Sequence, residues 1–320
     1  MDDHIGFSEE YEVIKGNDGV TVIQVRGEDG KGNGSMTVYE IMPGIALAYN
    51  DFHMEKIKSD FTPQGEMFCV DHCREGRIEQ EVSPGVFRYV GVGDLRLDNR
   101  QNHATNFYFP LSHYHGITIQ FEMDQAEESI RRIMPDFPMT VGEIRSRFCK
   151  EENCSYLRSE AYAEHIFAEL YHVPGKIRKH FMILKVLELL LDLWSLDNPQ
   201  ITESAVYYAK SQTDKVKAIK QLISEDLQKH YTMEELAERF DISATGMKSV
   251  FKAIYGKPIY AYLQELRMQR ASALLLEGNR SITEIAGEVG YESPGKFSGA
   301  FKKAMNLSPL EFRNGKDGLK

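Results

Sequence analysis

Met233-Glu-Glu-Leu-Ala-Glu-Arg-Phe240 and Ile282-Thr-Glu-Ile-Ala-Gly-Glu-Val289 are one pattern written twice, 49 residues apart. In each, the apolar residues fall at i, i+3, i+4 and i+7, the stripe of an amphipathic helix. Ala237 and Ala286 occupy the same small position in the two stripes and let a second helix approach closely. A serine follows each copy, Ser243 and Ser293, and serine is a preferred helix N-cap. Beyond the serines come apolar pairs four apart, Met247 with Phe251 and Phe297 with Phe301, then Lys252 and Lys302. The second helices align at an offset of 50, so the second turn is one residue longer. A self-similar period of this length marks one supersecondary unit used twice. Each copy reads as a helix-turn-helix.

The apolar pairs face the first helix of their own copy, which leaves the opposite face free. In copy one that face carries Thr245, Lys248, Ser249 and Lys252, with Ala244 opening the helix. In copy two it carries Gly295, Lys296, Ser298, Gly299, Lys302 and Lys303. Neither Ala244–Lys257 nor Gly295–Lys303 contains an acid, and each contains three lysines. A solvated helix face normally mixes signs; a face of one sign suits phosphate contact. Lys252, Lys302 and Lys303 are expected on phosphates. Thr245, Lys248 and Ser249 are expected at bases in one groove, and Lys296 with Ser298 in the next. Pro258–Glu277 reads as one helix joining the copies, about 30 Å long at 1.5 Å per residue. That is close to one turn of B-DNA, about 34 Å. Leu263, Leu266, Ala271, Leu274 and Leu275 would attach it to both units. The competing reading is a helical bundle with duplicated packing and no DNA role.

The C-terminal third resembles the AraC/XylS family of bacterial transcription regulators. The resemblance rests on Ser281-Ile-Thr-Glu-Ile-Ala286, Val289-Gly-Tyr291-Glu-Ser293, Phe297-Ser298, Ala300-Phe-Lys302 and Ser308-Pro-Leu-Glu-Phe-Arg313, and covers 214 to about 313. It implies double-stranded DNA as partner at a promoter or operator, contact with RNA polymerase, and activation more than repression. It also implies an N-terminal cupin-like domain for a small-molecule effector and for dimerisation. Two positions depart from the family. Ser249 and Gly299 stand where arginine is common; serine can still bond a base or phosphate, glycine offers only backbone. Glu292–Ser298 is also similar to siderophore-responsive members, which suggests a metal or siderophore sensor.

Charge is divided along the chain. The whole carries −10, but 214–320 holds 17 Lys and Arg against 14 Asp and Glu, a net of +3, and the remainder carries −13. A mildly basic reading domain beside an acidic sensing domain fits that split. No signal peptide is read in Met1-Asp-Asp-His4. The apolar stretch Phe181–Leu193 is broken by Lys185, Glu188 and Asp192, too polar to span a bilayer. Cys69, Cys73, Cys149 and Cys154 are expected to be reduced thiols in a cytoplasmic protein with no membrane contact.

Residues 1 to about 122 read as strand-rich, with alternation in Val20–Val25, Ser35–Ile41, Val86–Val90 and Gly116–Phe121. Turn signals lie at Gly27–Gly30, Gly32–Gly34, Ser83–Gly85 and Gly91–Gly93. Asp124 to about Met134 reads as helix. Ser159 is placed as the cap of a helix over Glu160–Tyr171, and Lys176–Trp194 as a second, closed by Asp197-Asn-Pro199. Ile177, Phe181, Leu184, Leu187, Leu191 and Trp194 form the second helix's stripe. This pair is expected either to be a dimerisation arm or to cover the strand domain's own core. The expected fold is multidomain α+β: a cupin-like β-barrel or sandwich sensing domain over 1–150, a helical linker over 151–213, and an all-α domain with two helix-turn-helix units over 214–320.

His72, His113 and His115 are the candidate effector-binding residues, since His113 and His115, two apart, would share a strand face. With Cys69 and Cys73 they are also ligand types for a soft divalent ion, but Cys69-x3-Cys73 is no recognised zinc spacing. No phosphate loop, nucleophile elbow or paired-carboxylate motif appears, so no cofactor and no catalytic residue is assigned. A cupin-type metal-dependent enzyme is the competing class.

Overall fold

The computed structural model describes residues 11–16, 19–27, 30–59, 61–63, 65–100, 106–149, 155–158, 163–196 and 207–315. The chain divides into two compact units, Met1–Tyr207 and Tyr208–Lys320.

The first unit carries strands β1 (Tyr11–Lys15), β2 (Val20–Arg26), β3 (Asn33–Met42), β4 (Ile45–His53), β5 (Lys56–Lys58), β6 (Met67–Ser83), β7 (Val86–Gly91), β8 (Asp94–Asp98), β9 (Asn106–Tyr108), β10 (Tyr114–Glu122) and β11 (Ser155–Arg158). Its helices are α1 (Met123–Ile133), α2 (Val141–Phe148), α3 (Glu164–Leu170) and α4 (Arg178–Ser195). The strands pair antiparallel in the order β1-β2-β3-β4-β10-β6-β7. The four stretches that alternate in the sequence fall in β2, β3, β7 and β10. Gly32-Asn-Gly34 is not wholly a turn: Asn33 already pairs with Arg26 in the sheet.

Strand β6 bends the sheet. Its first half pairs with β10 and β8, and its second half with β7. The change comes at Gly76, where φ is +81° and a Cβ would lie 2.1 Å from the His113 carbonyl oxygen. Only glycine fits that backbone. Two cores result. Ile45, Leu47, Phe68, Val70, Ile117, Ile119 and Phe121 pack under α1–α4. On the other face, Ile23, Val25, Phe52, Cys73, Val90 and Tyr114 share a second core. Strands β2 and β7 lie far apart in the strand order yet meet there, so the sheet curls on itself.

The helix pair covers the sheet, and with a different stripe from the one read in the sequence. Helix α4 buries Met182, Val186, Leu187, Leu189, Leu190 and Leu193. Of the expected stripe only Leu187 is buried. Ile177 and Leu184 are 50% and 64% exposed, and Leu191 and Trp194 are exposed as well. An apolar helix offers two stripes, and the curved sheet selects the one its own residues can match. Ser159, Asp197–Pro199 and Cys154 lie outside the described residues. Cys69, Cys73 and Cys149 are buried.

The second unit is helical: α5 (Lys210–Glu225), α6 (Met233–Arg239), α7 (Ala244–Tyr255), α8 (Ile259–Glu277), α9 (Ile282–Glu288), α10 (Pro294–Met305) and α11 (Pro309–Asn314). Among the described residues no helix is long and apolar enough to cross a membrane.

Candidate nucleic-acid interface

The duplicated sequence folds as duplicated structure, down to single hydrogen bonds. Thr232 and Ser281 cap α6 and α9, each in a reciprocal box with a glutamate three residues on, Glu235 and Glu284. In the first turn the Ile242 amide donates to the Ala237 carbonyl at 3.0 Å; in the second the Tyr291 amide donates to the Ala286 carbonyl at 2.8 Å. These are equivalent residues of the two copies. The left-handed residue of each turn is also equivalent, Asp241 with φ +47° and Gly290 with φ +81°. Gly290 has a second reason to be glycine, because a Cβ there would lie 2.3 Å from the Leu227 carbonyl oxygen. Ser243 and Ser293 cap α7 and α10, accepting from the amides of Gly246 and Lys296.

Helices α7 and α10 bury the faces expected of them. Met247, Val250 and Phe251 are enclosed in the first, Phe297 and Phe301 in the second. Thr245, Lys248, Ser249 and Lys252 are exposed, and Ala244 is half-buried at the start of α7. Gly295, Lys296, Gly299, Lys302 and Lys303 are exposed, with Ser298 half-buried. A Cβ added at Gly295 or Gly299 would meet no atom within 4 Å. The two glycines thus serve no packing purpose within the chain. Lys296 is not an isolated charge: its Nζ lies 2.8 Å from Glu292 Oε2, just ahead of the helix. Each partner shifts the other, raising the lysine pKa and lowering that of the glutamate.

Helix α8, 19 residues and about 28 Å long, joins the copies as its sequence predicts. It buries Leu263, Met268, Ala271, Leu274 and Leu275, while Leu266 is only half-buried. Sequence reading missed Arg267 on the same helix. This arginine is buried, donates from Nε to the Leu227 carbonyl at 3.0 Å, and stands 5.9 Å from the centre of the Tyr291 ring. A His230 ring nitrogen lies 2.9 Å from the Gly290 carbonyl oxygen. Together they tie the segment before the first helix-turn-helix to the turn of the second. A charged residue within an apolar helix stripe was the available signal.

In the first unit the candidate effector residues do not all meet: His72 stands apart from His113 and His115. His72 points under the helices, stacked on Phe167 with centroids 4.1 Å apart, its Nδ1 3.3 Å from Tyr171 Oη. His113 precedes β10, and its Nδ1 lies 3.0 Å from the Leu111 carbonyl oxygen. His115 lies on the strand face opposite buried Tyr114, its Nε2 2.7 Å from Asp51. His113 stands just before β10, and its ring centre is 6.5 Å from that of His115, so the two remain neighbours. Cys69 and Cys73 do not join them: burial pushes both thiols up to about 12, away from the thiolate a metal needs. The polar groups that do gather are different ones. Asp71 and Asp98 pair with Arg100 at 2.7 and 2.9 Å, Arg96 pairs with Asp98, and Asp71 accepts from Thr118 Oγ1 at 2.8 Å. Asn50 Nδ2 donates to Thr118 Oγ1, while Asn50 Oδ1 is buried without a partner among the described residues.

Residues 236–315 match a family model described as a helix-turn-helix domain. The chain is similar to the lactose operon transcription activator of Staphylococcus xylosus, 35% identical over 29% of this chain and 33% of that protein. It is similar to the transcriptional activator RhaR of Mannheimia succiniciproducens, 24% identical over 58% and 64%. A putative AraC-like transcription regulator of Streptomyces lividans is 33% identical over 28% and 29%. The chain thus spans about a third to two thirds of the length of the curated relatives it matches. With the repeat, its capped turns and these relatives in view, residues 236–315 form a helix-turn-helix domain similar to those of AraC-type transcription regulators.

Proposed function

We propose that the chain is a sequence-specific DNA-binding transcription regulator whose α7 and α10 enter successive major grooves on one side of the duplex. The observation that carries this is the pair of exposed, acid-free faces on equivalent helices, joined by a spacer of about 28 Å. Lys252, Lys302 and Lys303 hold phosphates. Thr245, Lys248 and Ser249 read one groove from α7, with Ala244 at its mouth. Lys296, once released from Glu292, and Ser298 read the next, while Gly295 and Gly299 bring the α10 backbone close to the DNA. The relatives named as activators support activation, and RNA polymerase is the partner such a role requires.

The curled sheet is read as a cupin-like sensing domain. Its support is the buried Asp71–Arg96–Asp98–Arg100 cluster and the Asn50 oxygen left without a partner among the described residues, polar groups of a kind that orient a small effector. A homodimer through the exposed stripe of α4 completes the proposal. Selection of bound sequences from a random duplex pool, using the full chain, tests the central claim. Two motifs spaced by about one helical turn are expected; a pool without enrichment overturns it.

A further inference from the structure

One row of polar side chains crosses the outer face of the first unit's sheet. Glu12, Gln24, Ser35, Asp51, His115 and Glu75 are successive register partners from β1 through β2, β3, β4 and β10 to β6. Hydration accounts for most of such a row. Its centre is another matter, because His53, two residues from Asp51 on β4 and so on the same face, swings its ring into it. Nε2 of His53 lies 2.8 Å from Asp51 Oδ1, Nε2 of His115 lies 2.7 Å from the same oxygen, and the two nitrogens are 3.5 Å apart. Around a four-coordinate ion with bonds of about 2.0–2.1 Å, neighbouring ligand atoms stand about 3.3–3.4 Å from one another. The two nitrogens already stand at nearly that spacing, and the two contacts to the carboxylate oxygen would have to open by about 0.6 Å to admit the ion.

Hydrogen bonding among neutral groups does not satisfy the arrangement. If both Nε2 atoms carry hydrogen, both donate to one carboxylate oxygen, which has lone pairs for two. His115 Nδ1 then presents a lone pair to Glu75 Oε2, 3.5 Å away, and two acceptors face each other. A cation held by both Nε2 atoms and Asp51 Oδ1 removes that conflict. Nδ1–H of His115 then donates to Glu75, the order found in carboxylate–histidine–metal triads. Asp51, His53 and His115 are 51%, 56% and 31% exposed, so the fourth side is open to water.

We propose that Asp51, His53 and His115 form a site for a divalent transition-metal ion of the zinc type, with Glu75 orienting His115. Two imidazoles and a carboxylate suit such an ion better than calcium or magnesium, which prefer all-oxygen shells. The site is independent of the DNA-binding reading and of the buried Asp71–Arg100 cluster.

Calorimetric titration of the metal-stripped full chain with Zn2+ tests it. A saturable site is expected that His53→Ala and His115→Ala each weaken at least about tenfold, Glu75→Gln about tenfold or more, and His113→Ala not at all. Co2+ in its place should give ligand-field bands without thiolate charge transfer, which excludes the cysteines as the donors. The three positions are partly exposed, so each variant should melt with the wild type in the absence of metal; should one not, His53→Gln serves instead. Wild-type Zn2+ affinity in the His53→Ala/His115→Ala double variant overturns the proposal. So does absence of binding to the wild type.

Discussion

His72 of β6 lies flat on Phe167 of α3, ring planes 9° from parallel and centroids 4.1 Å apart. The contact seals the helix pair onto the sheet and takes the imidazole out of water. Burial is the main reason its pKa falls to about 4, and the nearby Arg74 lowers it further. In the unfolded chain a histidine protonates near 6.5. The folded state therefore loses stability as the pH falls from about 6.5 toward 4, and this group's contribution is complete above that window. The loss should approach about 3 kcal/mol. His72→Phe keeps the stack and removes the proton site, so its urea unfolding free energy should fall less steeply across that window than the wild type's. Equal slopes would take His72 out of the acid response.

Lys252 and Lys302 occupy equivalent places on α7 and α10, both exposed. Lys252→Ala and Lys302→Ala should each weaken binding to specific and random duplexes alike, and each should reduce the slope of log affinity against log salt by about one. Fluorescence anisotropy from low to moderate salt measures this. Slopes unchanged in both variants would remove these lysines from the phosphate contacts.

Gly299 has open space where a side chain would stand. Gly299→Ala should stabilise α10 by about 0.5–1 kcal/mol and weaken DNA binding, since the methyl would hold the backbone away from the duplex. Equal or tighter binding would mean that α10 does not approach closely. A related expectation is that α7 discriminates sequence more than α10. A selected operator whose better-defined half lies under α10 would reverse that ranking.

Leu184 and Leu191 sit on the exposed stripe of α4. The full chain should self-associate at micromolar concentration, and Leu184→Glu with Leu191→Glu should lower the mass seen by light scattering while leaving the circular dichroism unchanged. A monomeric wild type would dispose of the α4 dimer.

The helix-turn-helix pair was legible because its determinants are local. A cap, a stripe at three-to-four spacing, a small residue at the crossing and a left-handed turn position all lie within about twenty residues, and the repeat prints them twice. The spacer α8 was readable for the same reason. What lay outside local reading was Arg267, whose buried bond reaches Leu227, 40 residues away.

In the first unit local pattern fixed which segments could be strands but not which residues meet. Strand β4 is buried over Ile45–Ala48 without alternation, and β6 runs 17 residues through six charged ones, so neither shows period two along its whole length. Whether α4 would bury Leu184 or Met182 depended on the curvature of a sheet that bends at Gly76. His53, Asp51, His115 and Glu75 are spread over 65 residues of sequence, and only the antiparallel registers of β4, β10 and β6 bring them to one place. Sequence by itself determined the elements that close within a few helical turns. The tertiary structure decided every relationship set by cross-strand register, because one residue of slip would turn each of those side chains to the other face.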